Sequence, residues 1–111
     1  MKALFALLAT LFVLPTIADD TAATDGAVHR YLIERSFPAG ALDGLDAATK
    51  EKVNANNATL GVRWLHSYAN ADRTKTFCVY EGPSEDAVRQ AAALNGLPVD
   101  SVMEVPVDLT P

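Results

Sequence analysis

Residues 61–84 read GVRWLHSYANADRTKTFCVYEGPS, and the fold turns on how this stretch pairs with itself. Two runs of β-branched and aromatic residues, Val62 to Tyr68 and Thr74 to Glu81, flank a polar turn at Asn70, Asp72 and Arg73, which is the pattern of a β-hairpin. After it, Gly82-Pro83 turns the chain and Ser84 caps a helix whose first turn carries Glu85 and Asp86, acidic residues suited to a helix N-terminus. Val88, Ala91, Ala92 and Leu94 form the buried side of this helix, Asn95-Gly96 ends it, and Pro98 prevents continuation. Before the hairpin, His29 to Phe37 reads as a strand closed by Pro38-Ala39-Gly40, followed by a helix from Ala41 to about Ala55. That helix takes Asp43 as its cap and Leu42, Leu45, Ala48, Lys52 and Val53 as its stripe; the asparagines from Asn54 to Asn57 are expected to fray it. A last strand runs from Ser101 to Val107, with Pro106 marking an edge or an end. The order strand, helix, strand, strand, helix, strand predicts an α+β, ferredoxin-like βαββαβ fold. Its four-stranded antiparallel sheet carries both helices on one face.

Alternation sorts each strand into two faces. One set holds Tyr31, Ile33, Leu65, Phe77, Val79, Met103 and Val105 and is expected to lie under the helices. The other holds Leu32, Glu34, Trp64, His66, Tyr68, Cys78, Tyr80, Val102 and Glu104, too apolar a mixture for a solvated face. A second subunit is the simplest cover, giving a homodimeric α+β barrel with a cavity inside. Glu34, His66 and Cys78 turned into such a cavity would be costly as unpaired charges, and a cation would satisfy them. Carboxylate, imidazole and thiolate together suit nickel, copper or zinc better than calcium or magnesium. Glu81 and Glu104 are further candidate ligands.

Of the 111 residues, 9 are Lys or Arg and 14 are Asp or Glu, a net charge of −5 that argues against nucleic acid or an anionic membrane as partner. Met1-Lys2, the apolar run from Ala3 to Leu14 and the small residues near Thr16-Ile17-Ala18 read as an export signal over residues 1–18, with a second possible cleavage after Ala23. Residues 19–27 then form a leader and 28–111 the domain, so the mature protein is expected in the periplasm or outside the cell, free of the membrane. Cys78 is the single cysteine, so no intrachain disulfide staples the fold.

The segments RYLIERSFPAG, GVRWLHSYANADRTKTFCVYEGPSEDAVRQAA and NGLPVDSVMEV resemble a family of small bacterial ferredoxin-like proteins known as a domain of unknown function, some of whose members are described as nickel-binding. The resemblance implies a dimeric barrel with a transition-metal site among sheet residues. It favours nickel over copper or zinc, with His66, Cys78 and Glu81 supplied by WLHSY and KTFCVYE and Glu34 by LIER. The expected function is therefore non-enzymatic: an exported protein that sequesters or buffers a nickel-type ion. A reading from another class is a small-molecule isomerase or oxygenase of the dimeric α+β barrel type, using His66, Tyr68 and Tyr80 as acid, base and oxyanion donor. Neither a nucleophile with an attendant base nor a phosphate loop accompanies those residues.

Overall fold

The computed structural model describes residues 26–111; the expected export signal and the leader up to residue 25 lie outside them. Six elements follow the expected order: β1 His29–Ser36, α1 Ala47–Ala58, β2 Arg63–Ala69, β3 Lys75–Gly82, α2 Glu85–Leu94 and β4 Ser101–Glu104. The sheet has four strands in the order β2-β3-β1-β4, every neighbouring pair antiparallel, which is the ferredoxin-like arrangement. β4 stops before Pro106, which has no amide hydrogen to contribute. No helix among the described residues is long and apolar enough to cross a membrane.

Local chemistry sets the helix ends. The Ser84 hydroxyl accepts a hydrogen bond from the Ala87 amide at 3.1 Å and so starts α2. At its other end the amides of Gly96 and Leu97 donate to the Ala93 and Ala92 carbonyls, with Gly96 at φ 69°, a left-handed turn that glycine adopts without strain. α1 begins later than the sequence predicts. Asp46, not Asp43, is its cap, accepting from the Thr49 amide at 2.9 Å, while Leu42 and Leu45 stay in the turns before it. Nor do the asparagines fray it. Asn56 donates to Asn95 at 2.9 Å and Asn95 donates to Asn57 at 2.9 Å, a side-chain amide ladder that ties the end of α1 to the end of α2.

The core lies between the sheet and the helices: Tyr31, Ile33, Val62, Cys78, Tyr80, Val88 and Ala91 are buried together. This agrees with the expected face for β1 and corrects it for β3 and β4. Direct antiparallel partners share a face, so the pairs Tyr31 with Tyr80, Ile33 with Cys78 and Ile33 with Val102 put Cys78, Tyr80 and Val102 under the helices. Phe77, Val79 and Met103, expected in the core, lie on the open face with Leu32 and Glu34. β2 changes face midway. Trp64 pairs with Tyr80 and His66 with Val79, so Leu65 is an extra residue, a bulge that leaves Trp64 on the helix side and His66 and Tyr68 on the open side. Gly82 allows α2 to come close: a Cβ there would sit 3.2 Å from Val62 and 3.3 Å from Val88.

Candidate functional site

The open face is built in rows across the strands. His66, Val79, Leu32 and Met103 form one row, and Tyr68, Phe77, Glu34 and Ser101 form the next. Tyr68 is 64% and Met103 56% exposed, while Leu32, Phe77 and Val79 are half-buried. The His66 and Tyr68 rings meet edge-on with centroids 4.6 Å apart, which aligns the imidazole on the surface. The Glu34 carboxylate lies 3.5 Å from Lys75 Nζ, an ammonium that also reaches Asp100 at 3.4 Å, so Glu34 is only loosely held. Glu81 shares this face and accepts from Arg63 Nη2 at 2.7 Å.

The other two candidate ligands are elsewhere. Cys78 is buried on the helix side, its thiol donating to the Thr76 hydroxyl at 3.5 Å. The sheet itself therefore separates it from Glu34 and His66. Glu104 is paired with Tyr31, also on the helix side, and its carboxylate meets His29 Nδ1 at 3.0 Å. The acid–base trio His66, Tyr68 and Tyr80 is divided in the same way, because Tyr80 is buried beneath the helices. Burial holds the Tyr80 phenol above its usual range, against the opposing pull of the Arg35 guanidinium.

His66 and Glu34 stand on β2 and β1 with β3 between them, two strand spacings of about 4.8 Å each. Two side chains rising side by side at that separation do not close on one ion from a single chain. Among the described residues no three of His, Cys, Asp and Glu gather closely enough to hold a metal. What the face does offer is one imidazole nitrogen and carboxylate oxygens without the thiolate, a donor set that still fits nickel, copper or zinc once further ligands join it.

One residue of consequence was not singled out from the sequence. Arg35 is 2% exposed, and its Nη1 donates to the Pro98 carbonyl at 2.8 Å. The signal was present, since Arg35 follows Tyr31 and Ile33 at the same alternation of β1.

Comparison with the solved structure of SCO4226 supports this fold. The crystal structure of SCO4226 from Streptomyces coelicolor A3(2) superposes with a TM-score of 0.62 and 21% identity over 72% of this chain and 99% of that one. A structural-genomics protein, YJCS, aligns with a TM-score of 0.48 and 14% identity over 74% of this chain and 100% of that one. No curated protein sequence matches. The profile of the family described as nickel responsive protein SCO4226-like matches residues 31–105, more than half of the sequence, and the chain therefore belongs to the SCO4226-like family.

Proposed function

We propose that two copies of this chain pair through their open sheet faces and hold a divalent transition metal between them, nickel in preference to copper or zinc, and that the exported protein sequesters or buffers that ion. The observation that carries this reading is the composition of the open face: an exposed imidazole and a loosely paired carboxylate set among Leu32, Tyr68, Phe77, Val79 and Met103. A two-fold pairing presents every residue of the face twice. His66 of one copy then comes to the carboxylates of the other, which supplies the donors that one face lacks. The family's description as nickel responsive supports the choice of metal. Glu34 and His66 are the principal ligands and Glu81 a further one; Cys78, on the far side of the sheet, contributes none.

The test is metal content by elemental mass spectrometry after the reduced full-length chain is dialysed against equimolar nickel, copper and zinc. Near-stoichiometric nickel is expected in the parent and in Cys78→Ser, with loss in His66→Ala and Glu34→Gln. Retention that survives both of the latter substitutions, or that disappears only in Cys78→Ser, would overturn the site. Export is checked by the intact mass of the secreted product, which is expected to begin at Asp19 or Thr24.

A further inference from the structure

A cavity of about 580 Å³ opens on the opposite side of the sheet from the proposed metal face, between the sheet and α1. Its walls are largely apolar, formed by Phe37, Leu42, Val53, Trp64 and Leu97. The sequence explains why it is there. α1 reads AATKEKVNANNA, and Val53 is its single large aliphatic residue, so this helix has almost nothing to insert between itself and the sheet. The asparagine ladder holds α1 in place without filling the space beneath it.

One cation forms part of the wall of this apolar cavity. Arg35 lines it while being 2% exposed. Nη1 is taken by the Pro98 carbonyl, but Nη2 is buried with no hydrogen-bond acceptor among the described residues. Among the described residues no carboxylate pairs with the guanidinium; partial compensation comes from Tyr80, whose ring centroid lies 5.6 Å from Cζ and whose phenol the guanidinium also reaches by charge and hydrogen bonding. A buried, always-charged group without a counter-ion is costly. Water that reached Nη2 would satisfy the N–H but leave the charge unopposed. A negatively charged oxygen brought to Nη2 by a small shift of the side chain would satisfy both.

We infer that this cavity is a binding site for a small organic carboxylate with an apolar body, its carboxylate drawn to the Arg35 guanidinium in the wall and its hydrocarbon part between α1 and Trp64. The volume lies within the range of ordinary small-molecule sites. One charged group at the end of an otherwise apolar pocket selects amphipathic monoanions over both neutral hydrocarbons and polyanions. This site shares no residue with the proposed metal face, so either can fail without the other.

Trp64 is the chain's single tryptophan and lines the cavity, so its emission reports occupancy directly. The experiment titrates the full-length, metal-free chain with octanoate and with phenylacetate, using 1-octanol and 2-phenylethanol as neutral counterparts of similar shape. At least one acid is expected to shift Trp64 emission saturably and to bind roughly tenfold or more tightly than its alcohol, the preference a charge-assisted contact confers. Arg35→Met, which keeps the volume without the charge, is expected to remove that preference. Where Arg35→Met does not fold, Val53→Phe fills the cavity from its α1 wall with Arg35 retained and Trp64 still the single tryptophan, and acid binding is then expected to disappear. Absence of saturable binding by either acid, equal binding of acid and alcohol, or acid preference that survives Arg35→Met or Val53→Phe would overturn the inference.

Discussion

Tyr80 shows how one side chain's surroundings set a property of the whole fold. Its side chain is buried in one cluster with Tyr31 and Ile33 beneath the helices, and burial favours the neutral form, while Arg35 and Asn57 lie near enough to oppose this only in part. Tyr31 is shifted in the same direction, by burial first and then by Glu104 and Glu85. The native state thus keeps these protons to a higher pH than the unfolded chain does. Their contribution is intact below about pH 10, where a free tyrosine begins to ionise, and stability falls as pH rises beyond it. In urea unfolding followed as a function of pH, Tyr80→Phe is expected to flatten the alkaline decline while leaving the slope near neutrality unchanged. An alkaline limb identical to that of the parent would show that Tyr80 ionises freely in the native state. The buried Arg35 beside it follows from the same alternation that buries Tyr31 and Ile33, and it is the residue whose role the sequence reveals least, because a charged side chain is normally assigned to the surface.

At the scale of elements, α2 and α1 are held in different ways. α2 buries Val88, Ala91 and Ala92 against the sheet and is delimited by Ser84 and Gly96, and these are the features by which its sequence announces it. α1 buries mainly Asn57, and the ladder Asn56–Asn95–Asn57 replaces the missing apolar stripe. Asn57→Ala leaves the Asn95 amide without its acceptor in a part-buried place, a loss of about 1–3 kcal/mol. The expected outcome is a lower urea midpoint with little change in m-value, and an unchanged midpoint would show that α1 is held by something else. The contrast also explains which elements were legible. The hairpin, α2 and the faces of β1 follow from turn chemistry, caps and a clear alternation. β3 misleads because both of its faces are apolar: Phe77 and Val79 are as hydrophobic as Cys78 and Tyr80, and only pairing with β1 decides which set lies under the helices. β4, at four residues, is too short for alternation to settle its parity. The start of α1 shifts because Gly44 interrupts the stripe after Leu42, making Asp46 the better cap.

For the molecule as a whole, the sheet is a partition. Its helix side carries the core, the buried arginine and the cavity; its open side carries the imidazole, the loosely held carboxylate and a set of exposed apolar residues that a second copy would cover. Of the candidate ligands, Glu34, His66 and Glu81 share the open side, while Cys78 and Glu104 lie on the helix side. A metal shared between copies makes association and metal uptake one equilibrium. Adding nickel is then expected to shift the chain from monomer toward dimer in sedimentation velocity at low protein concentration, an effect that fades as pH falls because ligands must shed their protons to bind. A monomer–dimer balance indifferent to nickel at every pH would place any metal site within one subunit.

The extra residue at Leu65 gives β2 a property of an unusual kind. A strand works like a two-letter reading frame in which each position is assigned inward or outward by parity alone, and Leu65 is a frameshift written into the middle of the message. Upstream of it, Trp64 is read inward to the cavity; downstream, His66 and Tyr68 are read outward. Without the insertion no single frame satisfies both halves: either tryptophan leaves the cavity or histidine leaves the outer face. One leucine thus lets a seven-residue strand address two compartments of the molecule at once.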